Sequence, residues 1–258
     1  MRIITEPKVY LLGRQTIDQA ELDRFLADHD VSHWTTDTDI AAQKLCEIAG
    51  RLCYMSFAKP RPGGNQAYVK HILEVAHGSV LEHAVFNLLI TGVSRSFTHE
   101  LVRHRAGFGY SQLSQRYVDE STSDFVEPDC IAGDPGLHAI WLRAIEKSLD
   151  AYRELVDALM SLPSKVEDKT LRRKIARQAA RSVLPNATET KIFVTANARA
   201  LRHFIEMRCS EPAEVEIRKV AAEILCVLQK EAPNLFGDYE LRSLPDGTFE
   251  AHTAHRKV

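Results

Sequence analysis

Long apolar runs are missing from this chain. The longest stretch without Asp, Glu, Lys or Arg covers residues 83–94, twelve positions, and a membrane-spanning helix needs about 20. No signal-like apolar run follows Met1-Arg2-Ile3. The five cysteines, Cys46, Cys53, Cys130, Cys209 and Cys226, form an odd, scattered set without C-x-x-C. Three of them, Cys46, Cys53 and Cys226, sit among apolar residues at helical spacing and read as small core hydrophobes. A reducing compartment, by default the cytoplasm, is expected. The usual cofactor signatures are absent too. His99-Glu100 and His104 are not H-E-x-x-H: five residues separate the imidazoles, roughly 140° around a helix, so they cannot share a face. There is no P-loop and no G-x-S-x-G elbow, and Gly107-Phe108-Gly109 lacks the third glycine of a dinucleotide fingerprint. No metal is expected.

What the chain does have is cationic charge in two places. Its 258 residues are 45% hydrophobic and 26% charged, with a net charge of -2, which excludes a generally basic nucleic-acid binder and an acidic disordered chain. Residues 95–116 carry Arg95, Arg103, Arg105 and Arg116 against Glu100, a net of +3. Residues 169–208 carry ten Lys or Arg against Glu189 and Glu206, a net of +8, so the remainder holds -13. Arg outnumbers Lys 21 to 12, and no Lys occurs between Lys70 and Lys147. A planar five-donor fork is what a buried phosphate or carboxylate requires; the plainer reading is a set of salt-bridged helix faces.

Apolar periodicity predicts helices over residues 17–28 and 39–57, then a loop with Pro60, Pro62, Gly63 and Gly64. A helix capped at Asn65 and ended by Gly78 follows. Residues 85–93 read as a strand buried on both faces. Ser94 caps a short helix through Arg105, and residues 106–112 form a glycine-containing loop. Short strands are predicted over residues 116–119 and 124–127. Asp134-Pro135 opens a long helix to about Leu162, and a basic helix covers 168–184. A strand over 191–195 and helices over 197–208 and 213–232 complete the pattern. The expected fold class is α+β, a helix-rich single domain with a small, mainly antiparallel sheet. One catalytic domain is expected over residues 1–241, with a mobile tail over 242–258.

The densest chemistry is Arg103-His104-Arg105 followed by Gly107, Gly109, Tyr110, Ser111, Gln112, Leu113, Ser114, Gln115 and Arg116. Consecutive side chains on a helix diverge by about 100°, so three such residues suit different parts of a large ligand rather than one small anion. Cations at a helix C-terminus are also stabilising for the fold alone, by about 0.3–1 kcal/mol each. From the residues themselves, a nucleotide- or RNA-binding protein without catalysis fits as well, with Phe108 or Tyr110 stacking a base.

Arg103-His104-Arg105 with Leu113-Ser114-x-Arg116 resembles the signature of the flavin-dependent thymidylate synthase family. His77-x-Ser79-x-x-Glu82-His83 upstream, Ala180-Arg181-Ser182-Val183-Leu184-Pro185 downstream, then Asn197-Ala198-Arg199-Ala200-Leu201 and Arg208, stand in that family's order, over roughly residues 70–236. Two departures stand out. Eight residues, not seven, separate the Arg-His-Arg from Ser114, and Gln112 and His203 occupy places where an acid and an Asn are common.

The resemblance implies a methyltransferase converting dUMP to dTMP, with methylenetetrahydrofolate as one-carbon donor, FAD as redox cofactor and NADPH as reductant. It implies FAD contacts at Ser79, Arg103, His104, Arg105, Gln112, Asn197, Arg199 and His203. For dUMP it implies Glu100, Arg103, Gln112, Leu113, Ser114, Gln115, Arg116, Arg181 and Arg208. Ser114 fits a hydrogen-bond donor to phosphate, with Leu113 and Gln115 offering backbone amides. It is not assigned as a nucleophile, because no adjacent base is evident. Arg208 is the one catalytic candidate: a guanidinium near uracil N3 and its carbonyl favours the ionised imide and makes C5 nucleophilic. A flavin-free route would need an enzyme Cys to add at C6, and neither Cys130 nor Cys209 stands in a Pro-Cys context. The family also implies a homotetramer with active sites shared between subunits.

Overall fold

The computed structural model describes residues 1–59 and 61–256; Pro60 of the expected loop and the last two residues of the expected tail lie outside them. In chain order the elements are β1 (Ile3–Ile4), β2 (Lys8–Gly13), α1 (Gln19–Asp28), α2 (Ala41–Leu52), α3 (Gly64–Glu74), β3 (Val85–Ser94), α4 (Arg95–Leu101) and β4 (Phe108–Gln112). Then come β5 (Phe125–Val126), α5 (Asp129–Ala132), α6 (Pro135–Ser161), α7 (Lys169–Ala180), β6 (Glu189–Asn197) and α8 (Ala198–Arg208). The described chain closes with α9 (Val215–Glu231), α10 (Pro233–Phe236), β7 (Glu240–Ser243) and β8 (Phe249–His252). This is the expected helix-rich α+β class. No helix among the described residues is long and apolar enough to cross a membrane.

Local capping chemistry explains the boundaries that agree. Asp134 accepts from the Gly136 and Leu137 amides with Pro135 in the first turn of α6, Ser94 accepts from Phe97 at α4, and Asn197 accepts from Ala200 at α8. Other boundaries differ. The N-cap of α3 is Gly63, not Asn65. The Asn65 side chain is buried, donating to the Gln43 carbonyl and Glu47 carboxylate and accepting from Asn234, while the Asn65 amide donates to Asp37. That helix ends at Glu74, and Gly78 opens a 3-10 turn. Residues 116–119 form a turn, the Tyr117 and Val118 amides donating to the Ser114 carbonyl.

Two corrections bear on function. The helix after Ser94 stops at Leu101, so Arg103-His104-Arg105 is irregular chain, and the stretch read as a glycine loop contains β4. The residues after 241, expected as a mobile tail, pair as the antiparallel hairpin β7–β8, with Leu241 opposite Ala251.

The main sheet has the order β2-β3-β6-β4. Ala198 donates to the Ala84 carbonyl and Arg95 to the Thr188 carbonyl, so β3 and β6 run antiparallel; Asn197 to Gly107 and Leu113 to Lys191 make β6–β4 antiparallel as well. Residues on β3 alternate between half-buried and buried up to Thr91, then stay buried from Gly92 to Ser94. Burial on both faces therefore holds only at its end.

The chain forms two compact units. The first comprises Met1–Lys8, Ile90–Val102 and Ser111–Ile192; its core packs Phe125 against Ile145 and Leu149 of α6. The second comprises Val9–Leu89, Arg103–Tyr110 and Phe193–Val258. One of its clusters joins Leu22, Leu26, Val31, Trp34 and Phe57, and Phe204, Ile205, Ile217, Val220 and Leu225 of α8 and α9 are fully buried.

Candidate active site

In the second unit the chain between α4 and β4 turns tightly. Phe108 donates to the Arg105 carbonyl, and Gly107 adopts φ +75° beside Asn197 and Ala200. The turn places the His104 ring against Phe204, centroids 5.1 Å apart and nearly perpendicular, and 6.1 Å from His203. Tyr110 on β4 donates its hydroxyl to the His104 carbonyl at 2.6 Å, and the Tyr110 ring stacks on Phe108. His104 Nε2 accepts from Arg208 Nε at 3.0 Å. Burial, then the Arg208 cation and His203, push His104 down to about 4, so at neutral pH the ring is uncharged and can accept that hydrogen bond.

The remaining expected residues of this unit divide. Arg103 and Arg105 are exposed, and their guanidinium groups make no ion pair among the described residues. The Asn197 side-chain oxygen is engaged in capping α8. Arg199 pairs with Glu82 at 2.6 Å, joining two of the motifs read from sequence. Ser79 lines a different cavity of about 390 Å³ with His77, His71, Tyr54 and Tyr68.

In the first unit, α4 and the strand ends hold the rest. Gln112 donates to the Thr98 and Thr190 hydroxyls at 3.1 and 3.3 Å. The Leu113 amide donates to the Lys191 carbonyl; it is occupied by the sheet, contrary to the expected free donor. The Ser114 hydroxyl accepts from the Arg116 amide. Glu100 is half-buried on α4, and Gln115 is buried with its Nε2 unpartnered. Arg116 also has a buried, unpartnered Nε and lines a cavity of about 360 Å³ with Tyr117, Asp168, Thr170, Arg173, Lys174 and Arg177. Arg177 is neutralised by Asp119 at 2.7 Å. Lys174 lies 4.5 Å over the Tyr117 ring and, through its hydrogen bond, draws the phenol down.

Arg181, in the 3-10 turn after α7, is half-buried without an ion pair. It sits close enough to Arg95 to help lower the Arg95 guanidinium, whose main perturbation is burial. Glu120 opposes that shift; its own carboxyl is raised by burial, with one oxygen unpartnered. Arg95, Tyr117, Arg173 and Lys174 were not singled out from sequence. The concentration of cations in residues 95–116 and 169–208 was the signal available for three of them.

Cys209 is completely buried and burial raises its thiol to about 12. It cannot present a thiolate to a pyrimidine.

Comparison with known proteins identifies the family of the chain. Residues 36–234 match the model of a family described as thymidylate synthase complementing protein. The chain is 53% identical over 226 residues to the flavin-dependent thymidylate synthase of Mycobacteroides abscessus, covering 87% of this chain and 89% of that one. It is 51% identical over 217 residues to the protein of the same name from Corynebacterium glutamicum, covering 83% and 86%. A crystal structure of the UMP/dUMP methylase PolB from Streptomyces cacaoi, bound with 5-Br dUMP, superposes with a TM-score of 0.64 at 22% identity, over 92% of this chain and 96% of that one. The family match and the relatives at 51–53% identity define an enzyme of the methyltransferase class. The chain belongs to the flavin-dependent thymidylate synthase family.

Proposed function

We propose that this enzyme converts dUMP to dTMP, with methylenetetrahydrofolate as one-carbon donor, FAD as redox cofactor and NADPH as reductant. The observation that carries the reading is the cavity lined by Arg116, Arg173, Lys174 and Arg177 with one carboxylate, Asp168, which caps α7; Arg116, Arg173 and Lys174 have no ion-pair partner among the described residues. Clustered cations in excess of the carboxylates around them repel one another unless an anion joins them. A nucleoside monophosphate, near-dianionic at neutral pH, supplies that charge. Arg181 and Arg95 extend the positive field.

The residues of the second unit fit a flavin dinucleotide: Arg103 and Arg105 offer exposed forks for a diphosphate, and His203 and Ser79 offer polar contacts to the rest. When bound, the flavin supplies two-electron redox chemistry that no side chain can perform. The methylene carbon must gain two electrons to become a methyl group, and NADPH accounts for them. Arg208 does the remaining work. Held through Nε by His104, its guanidinium would meet the uracil N3 edge and flanking carbonyl. Charge drawn there favours the ionised imide and raises electron density at C5. In the first unit, Gln112, Ser114, Gln115, Arg116 and Glu100 are the residues that the family resemblance assigns to dUMP.

The enzyme is proposed to assemble as a homotetramer with shared sites. Ile140 on α6 and Leu171 and Ile175 on α7, 59%, 41% and 50% exposed, support an assembly face.

The test is spectroscopic and chemical together. Purified protein is expected to be yellow, with flavin absorbance, and to form dTMP from dUMP only when both folate and NADPH are supplied. Arg208→Ala is expected to keep its flavin and lose dTMP formation. A colourless protein without turnover, binding RNA instead, would overturn the reading.

A further inference from the structure

The C-terminal hairpin β7–β8 lies beyond residue 234, where the family match ends, and it converges on the chain that follows Arg208. The Ala251 amide donates to the Cys209 carbonyl at 2.7 Å. The Cys209 thiol points to the Phe249 carbonyl at 3.6 Å. The Glu211 amide donates to the Glu250 carboxylate, helping to lower it behind the larger effect of His252. Beneath them Arg218, with 4% of its side chain exposed, donates to the Glu211 carbonyl at 3.1 Å and to Asp246 in the hairpin turn at 2.7 Å. Three consecutive residues of one strand, Phe249, Glu250 and Ala251, thus hold two of the first three residues after α8, Cys209 and Glu211.

We propose that this hairpin is a positioning element for Arg208: it fixes the last turn of α8 from the backbone side while His104 fixes the guanidinium. A helix C-terminus otherwise frays, because its last carbonyls lack intrahelical partners. Here Arg208 is the final helical residue, so fraying would move the group that must meet the uracil edge. An error of about 1 Å in such a group is worth on the order of 100-fold in rate. The thiol, kept protonated by burial, serves here as a weak donor to the Phe249 carbonyl. The inference rests on the reading of Arg208 given above.

Ala251→Pro tests it on the full-length enzyme. The Ala251 N–H is directed at Cys209 and not at β7, so proline removes this hydrogen bond without breaking the β7–β8 ladder, and its ring presses on the Cys209 carbonyl. Glu250→Ala, which removes the acceptor for Glu211, gives a second variant should the first fail to fold. Each is made alone and combined with Arg208→Lys. Turnover is measured for dTMP, dUMP affinity by calorimetry, and flavin content for integrity.

The expected result is a kcat lowered about 10- to 100-fold with flavin retained. In the Arg208→Lys background the same change should add less than about twofold to either readout, because two changes acting on one group are not additive. Equal losses in both backgrounds, or no loss in either, would overturn the proposal while leaving Arg208 in place. Wild-type turnover in Arg208→Lys alone would overturn the reading of Arg208 and the proposal with it.

Discussion

At the scale of single residues, His104 shows how a basic side chain can serve by being neutral. Its ring is half-buried against Phe204, faces His203 and receives Arg208 at Nε2, and these surroundings push it down to about 4. In the unfolded chain the imidazole titrates near its ordinary value of about 6.5, so between about pH 6.5 and 4 the unfolded state binds more protons than the folded one. Stability from this group is therefore complete above pH 6.5 and is lost as the pH falls towards 4. Partial exposure screens the effect, and about 1–2 kcal/mol is a realistic share. His104→Gln keeps an acceptor for Arg208 but cannot titrate. Urea midpoints at pH 7 and pH 5 should fall further apart in the wild type than in this variant; identical pH slopes would show that His104 carries no such linkage. Sequence identified His104 from its motif, yet its neutrality depends on Phe204 and Arg208, a hundred positions away.

At the scale of elements, legibility followed the reach of the governing interaction. The starts of α6 and α8 were readable because Asp134-Pro135 and Asn197 cap within three residues. The start of α3 was not: the carboxylate that receives its first-turn amide belongs to Asp37, and Asn65, a good cap by composition, is drawn into a buried network with Gln43, Glu47 and Asn234. β4 was hidden by Gly107 and Gly109, although Phe108, Tyr110 and Gln112 carry the two-residue alternation of a strand. Its hairpin-like entry depends on Gly107. A Cβ there would lie 2.7 Å from Asn197 Nδ2 and 2.8 Å from Ala200 Cβ, at φ +75°. Gly247, at φ +81°, has nothing within 4 Å, and so isolates the conformational cost. Gly247→Ala should cost about 1 kcal/mol. Gly107→Ala should cost about 2–3 kcal/mol and loosen the Asn197 cap. Denaturant titration of both variants checks this, and equal losses would mean that the close packing of Gly107 on α8 is soft.

At the scale of the whole molecule, the net charge of -2 conceals segments of +3 and +8, and the structure divides their cations by environment. Some are neutralised within the fold, such as Arg177 by Asp119, Arg199 by Glu82 and the fully buried Arg202 by Asp238. Others, Arg116, Arg173, Lys174 and Arg181, have no carboxylate partner among the described residues. Composition could count these charges but could not sort them, because sorting requires knowing which acid lies opposite. The sorted set separates the two functional classes that the motifs alone left open. A polynucleotide tracks a long cationic surface and releases many counterions, so its affinity would fall about 10³-fold or more between 50 and 200 mM salt. A single mononucleotide phosphate in one cavity displaces few ions, and dUMP affinity should fall by about tenfold or less over the same range. Calorimetry with dUMP and with a single-stranded RNA at both salt concentrations makes the comparison directly. Replacing Lys174 by Gln should weaken dUMP at low salt and flatten its salt dependence, because one counter-charge at the phosphate is gone. Tight, steeply salt-dependent RNA binding that ignores this substitution would place the cationic segments in the service of a polymer and not of a nucleotide.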